Sequence, residues 1–206
     1  MMLHWSPRSP FVRKVMIGLR ETGLLDRVRT VRSKAEIMDP NPAILKDNPL
    51  NKIPTLVLDD GTVIYDSRVI LEYLDMQHSG PKLCPADGMA RIETLRRQAL
   101  ADGFLDFILL WRHERRRAPE HQSQPHLDGF AMKAKATLDR LEREIGWLET
   151  TPFSVAHIAT GCALSHLDFR FPDLDWRDGH PRLAAWHKDV FSARPSVAAQ
   201  PVVNDE

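Results

Sequence analysis

Apolar positions in the first third of the chain follow two spacings in turn. Short runs rich in β-branched residues at Leu3–Trp5, Val28–Val31, Thr55–Leu58 and Val63–Ile64 have the length of strands. Between them, helical spacing predicts a helix from Pro10 to about Thr22 and another from Ser67 to about Met76. In the second, Val69, Ile70, Tyr73 and Leu74 fall on one side. The order β-α-β, then β-β-α, predicts a small mixed sheet with helices packed on it. Near residue 77 the pattern changes. Gly80, Pro81, Pro85 and Gly88 read as a linker. From Met89 onward the spacing is helical, with helices over roughly Arg91–Arg117, Leu127–Leu148, Ser154–Phe169 and Pro181–Phe191. Two domains are expected, an α/β domain over residues 1–78 and an all-helical one over 88–206. There is no internal repeat and no low-complexity tract.

Composition narrows the partners. Lys plus Arg equals Asp plus Glu, 28 each in 206 residues, so no global field favours nucleic acid or a membrane surface. Hydrophobic residues at 43% and charged residues at 27% suit an ordinary soluble protein. Two distant cysteines, Cys84 and Cys162, argue against a disulfide scaffold and fit a reducing compartment. No apolar run reaches transmembrane length, and the opening Met1-Met2-Leu3-His4-Trp5-Ser6 has no signal-peptide core, which makes the cytoplasm the expected location. The nine histidines are scattered without metal-ligand spacing, so no metal is expected.

Chemistry is concentrated in two stretches. In Asn51-Lys52-Ile53-Pro54-Thr55-Leu56-Val57-Leu58, the proline must open the strand or lie at an edge, and Ile53-Pro54 also fits a cis turn. Asp60-Gly61 reads as a hairpin turn. Asp66-Ser67 falls where a helix begins, and the free N–H groups there attract an anion. These parts form a small ligand cradle. In Trp5-Ser6-Pro7-Arg8-Ser9-Pro10-Phe11, Ser9 is the natural N-cap and Pro10 suits the first helical position. A hydroxyl beside unpaired N–H groups would stabilise a thiolate and bring a thiol pKa down from ~8.5. A plain capping serine is the other reading. Phe104, Phe107 and Trp111 recur at helical spacing, as core packing or as a pocket wall, and Trp5 and Tyr65 could border the site. The run Arg112 to Arg117 reads as a solvated helix end opposing the dipole, or as one wall of a cleft.

Together these features resemble the cytosolic glutathione transferase family across essentially the whole chain. The resemblance is carried by Ser9-Pro10-Phe11, by Asn48-Pro49-Leu50-Asn51-Lys52-Ile53-Pro54-Thr55-Leu56 and by Asp66-Ser67. It continues in His180-Pro181-Arg182-Leu183-Ala184-Ala185-Trp186 and Arg194-Pro195-Ser196. It implies a thioredoxin-like α/β N-terminal domain joined to an all-α helical bundle, assembled as a homodimer. Glutathione would be the co-substrate and a small hydrophobic electrophile the acceptor, with no metal, nucleic acid or membrane partner. Ser9 matches the hydroxyl that stabilises the glutathione thiolate, with Trp5, Ser6 or Arg8 next if it does not serve. Ile53, before Pro54, matches the residue whose backbone pairs with the cysteinyl part. Asp66 and Ser67 match the pair that holds the γ-glutamyl end, and Lys52 is placed to meet the glycyl carboxylate. Asp102 looks like the acid that reaches the γ-glutamyl amine across a dimer interface. Trp5, Phe104, Phe107 and Trp111 would line the acceptor pocket. The implied function is conjugation or a related glutathione-dependent reaction. The alternatives are a non-catalytic binding module and a glutathione-dependent isomerase or peroxidase.

Two departures from the family pattern stand out. His157 follows Ser154 where an acid often completes a capping box, which should weaken that helix start by ~1 kcal/mol. The active-site position is Ser9 rather than Cys and no Cys-x-x-Cys exists, so thiol exchange lacks its nucleophile. Cys84 and Cys162 are expected to be inert.

Overall fold

A computed structural model describes residues 1–204. Four strands, β1 (Met2–Trp5), β2 (Arg29–Arg32), β3 (Thr55–Val57) and β4 (Val63–Ile64), form one sheet in the order β2-β1-β3-β4. Strand β1 pairs in parallel with β2, His4 opposite Val31, and antiparallel with β3, His4 opposite Thr55. Strands β3 and β4 make the hairpin, with Leu56 opposite Ile64. Its turn is closed by Leu58 N–H donating to Thr62 O at 2.8 Å, and Gly61 supplies the positive φ of +86°. The outer strand β2 exposes Arg29, Thr30 and Arg32, charges and a hydroxyl that discourage pairing with another edge.

Helices α1 (Pro10–Glu21) and α3 (Ser67–Met76) pack on this sheet through Val12, Val15, Leu19, Ile70 and Leu74, which bury against Leu3 and Leu56. A further helix, α2 (Pro42–Asp47), was not visible in the spacing of apolar residues, because its six residues bury only Ile44. The local signal was there: Asn41 caps it by accepting from Ala43 N–H at 2.9 Å, and Pro42 sits in its first turn. A strut ties α2 to the sheet, His4 bridging Ser33 Oγ through Nδ1 and Asp47 Oδ2 through Nε2, each at 2.8 Å.

The remaining helices are α4 (Gly88–Arg115), α5 (Gln124–Thr150), α6 (Val155–Arg170), α7 (Pro181–Ala185), which runs into a wider turn over Trp186–Phe191, and α8 (Pro195–Ala198). The chain forms two compact units, Met1–Ala86 with the segment from Pro195 on, and Asp87–Arg194. This division differs from the 1–78 and 88–206 split in two places. The linker-like stretch is fixed, because buried Asp75 accepts from Leu83 N–H at 2.8 Å and Cys84 N–H at 3.1 Å, and both residues are buried. The segment from Pro195 returns to α1: Val197 is buried, Arg13 Nε donates to Gln200 O at 2.7 Å, and the Ser196 hydroxyl meets the Glu21 carboxylate.

In the helical unit α4 packs against α5 and α6, and α6 is buried nearly all round. The start of α6 corrects the expectation of a weakened cap. His157 Nδ1 accepts from Ser154 N–H at 3.2 Å and lies 2.8 Å from Ser154 Oγ. Its Nε2–H donates to Leu148 O at 2.9 Å. The imidazole does the acid's work at the N-cap and satisfies a carbonyl that an acid could not.

Candidate functional site

Ser9 caps α1 in extended backbone, φ −80° and ψ 119°, and its Oγ accepts from Val12 N–H at 3.2 Å. With the oxygen turned to the helix, the hydroxyl proton is left for an outside acceptor. At the start of α3, Asp66 is the N-cap, accepting from Arg68 N–H at 2.9 Å and from Arg68 Nη2 at 2.8 Å. Burial pushes the Asp66 carboxyl up, but hydrogen bonds and charge from Arg68, together with the charge of Lys14, outweigh it and hold the group below the usual carboxylate range. Ser67, the first residue of α3, is buried.

The two helix starts are set side by side by packing. Gly18 lies against Leu71, where any added methyl would collide with Leu71 Cδ2. One turn earlier on both helices, Lys14 Nζ donates to Ser67 Oγ at 3.2 Å. Contacts that advance together along α1 and α3 mean the helices run in the same direction, so their positive N-terminal ends open at one end of the unit.

The loop before β3 is held from within. Asn48 is buried, and its Nδ2 donates to Lys52 O at 3.2 Å and Thr55 Oγ1 at 2.9 Å. Its Oδ1 accepts from Leu50 N–H at 3.0 Å, while Asn51 takes the left-handed conformation at φ +51°. The Ile53–Pro54 bond is cis, as is Tyr65–Asp66. The ladder ends at Thr55, which places the half-buried Ile53 just beyond it. The Lys52 side chain is exposed.

Trp5 lies at a cavity of about 230 Å³, walled also by Pro7, Val12, Met16, Pro201 and Val203. The other aromatic candidates are in the helical unit. Phe104 and Trp111 are 1% and 7% exposed, with rings 5.2 Å from Phe107 and 4.6 Å from Phe171. Phe107 is half-buried and stacks on Phe130 at 6.4 Å. Asp102, expected to reach a neighbouring subunit, is 5% exposed in the single chain. Within the basic run, Arg115 pairs with Asp173 at 2.7 Å and Arg117 with Glu114 at 3.4 Å.

Sequence reasoning missed Lys14 and the supporting role of Asn48. Lys14 lies on the side of α1 that carries the buried Ile17 and Gly18 one turn on. Another polar cluster is the trio of Ser33, His4 and Asp47, in which Ser33 is 3% exposed. Cys84 and Cys162 are both buried thiols. Among the described residues, no group of three His, Cys, Asp or Glu side chains could hold a metal, and no helix is long and apolar enough to cross a membrane.

The chain matches the family description "Glutathione S-transferase, N-terminal domain" over residues 8–77 and "Glutathione S-transferase, C-terminal domain" over residues 124–189. It is 31% identical over 204 residues to the uncharacterised GST-like protein YibF of Escherichia coli K12, covering 98% of each chain. A glutathione transferase family member from Pseudomonas fluorescens Pf-5, crystallised with bound glutathione, is 49% identical with a TM-score of 0.95, over 98% of this chain and 99% of that one. A glutathione S-transferase from Methylobacillus flagellatus, with glutathione bound, is 35% identical with a TM-score of 0.87, over 98% and 99% of the two chains. On its sheet order, its helical unit and these full-length likenesses, the chain belongs to the glutathione S-transferase family.

Proposed function

We propose that the protein is a glutathione transferase that joins the glutathione sulfur to a small electrophile. The observation that carries this reading is the shared opening of two helix N-termini, one headed by Ser9 and the other by Asp66 and Ser67. Such a pair suits a ligand with a thiolate at one point and a carboxylate at another. The Ser9 hydroxyl donates to the sulfur and, with the α1 dipole, favours the ionised thiol at neutral pH. The cysteinyl backbone pairs with the main chain of Ile53, ahead of Pro54 and just beyond the end of the β3 ladder. Ser67 and the α3 N–H groups take the γ-glutamyl carboxylate, Asp66 faces its ammonium, and Lys52 meets the glycyl carboxylate. The thiolate attacks the electrophilic carbon, the leaving group departs with its electron pair, and the thiol proton passes to solvent. Acceleration comes from thiolate population and from holding both reactants together.

The cavity beside Trp5 is the place proposed for the electrophile. A homodimer and a cytoplasmic location belong to the same reading.

Capture on immobilised glutathione, with release by free glutathione, tests binding; failure to bind would turn the reading toward a non-catalytic module. Ser9→Ala is expected to lower kcat roughly tenfold or more and to raise the bound thiol's pKa, with glutathione affinity within a few-fold of wild type. Full activity and an unchanged thiol pKa in that variant would remove Ser9 from the mechanism.

A further inference from the structure

Lys14 is fully buried, which is rare for an ammonium because water solvates it strongly. Its Nζ donates to Ser67 Oγ at 3.2 Å and lies 5.7 Å from the centre of the Phe11 ring. Ser67 is itself 1% exposed, and it opens α3. A serine hydroxyl whose oxygen accepts from an ammonium has its own proton turned away from that ammonium and made a better donor. The charge of Lys14 is felt at this helix mouth, where it helps hold the Asp66 carboxyl ionised. Asp66 spends its own charge largely on Arg68, to which it is tied by two side-chain nitrogens.

We infer that Lys14 is a positioning residue for the α-carboxylate of the γ-glutamyl group, acting through the Ser67 hydroxyl. This rests on the assignment of Ser67 in the proposed function. The helix N–H groups give the carboxylate direction, the Ser67 proton gives it a short contact, and the ammonium behind Ser67 supplies a fixed positive charge that side-chain motion cannot withdraw. The charge sits away from the sulfur, so it acts on binding and leaves the chemical step alone.

Titration calorimetry on the full chain separates the possibilities. The ligands are glutathione and γ-aminobutyryl-cysteinyl-glycine, which lacks only the α-carboxylate. The variants are Lys14→Met, which removes charge and donor, and Lys14→Gln, which keeps a neutral donor in reach. Both are expected to bind glutathione about tenfold more weakly than wild type, while the analogue binds all three proteins alike. In turnover, KM for glutathione rises by the same factor and kcat stays within about twofold. Equal weakening toward both ligands would make Lys14 a packing residue and overturn the inference, as would unchanged affinity for glutathione. Variants that fail to fold would likewise assign Lys14 to the core. A wild-type protein that binds neither ligand would take down the proposed function along with it.

Discussion

Single polar side chains decide several local outcomes in this protein, and His157 shows how. An acid in its place could accept from the N-cap N–H but could not donate to Leu148 O; the neutral imidazole does both. Burial is the main cause that lowers its pKa to about 4, with the nearby Arg194 charge adding to it and the Leu148 bond opposing it. Burial also lowers His166 to about 3, helped by Arg170 and Arg112. Both folded values lie below the ordinary 6.5. The unfolded chain therefore takes up these two protons first as pH falls, and the folded helical unit does not. Their contribution is fully present above pH 6.5 and is lost progressively down to about 4 for His157 and about 3 for His166. For His157 alone the loss is on the order of 3 kcal/mol. Urea midpoints for the wild type should fall steadily between pH 6.5 and 4, and His157→Asp should already be less stable at neutral pH. A midpoint flat across that range would refute the account.

Among the elements, the α1–α3 pair matters most, because it sets where the helix starts lie. Gly18→Ala offers α1 a better helix former by about 1 kcal/mol, yet forces Leu71, itself fully buried, to move. Overpacking of this kind costs about 2 kcal/mol, so the net change should be a loss of stability. Parting the helices should also draw Lys14 from Ser67 and weaken glutathione binding, a coupling that thermal melts and calorimetry on one variant would measure together. Unchanged binding at lower stability would disconnect the two. The strands, α1, α3 and the long helices were legible because each repeats its apolar spacing for two turns or more, or for a full strand. Helix α2 escaped because one buried residue, Ile44, makes no period. Pro54 and Asp66-Ser67 could be placed from their types alone. Lys14 could not, since a lysine's type gives no sign that it is buried.

On the scale of the whole chain, apolar spacing does not show which unit the segment from Pro195 joins, because four helical residues carry no mark of which surface they cover. Val197 makes that choice, burying its side chain for about 2 kcal/mol. The Arg13–Gln200 and Ser196–Glu21 contacts fasten the segment to α1. A chain ended at Arg194 is expected to lose several degrees of thermal midpoint in the α/β unit and part of its glutathione affinity, read by calorimetry; equal midpoints would show the segment to be dispensable. This return path also orders events during synthesis. A ribosome making the protein completes the sheet, then the entire helical unit, before it delivers the piece that α1 is waiting for. Until that moment the cavity beside Trp5 lacks the wall formed by Pro201 and Val203, and the nascent α/β unit would carry an open apolar face for as long as translation of the helices takes.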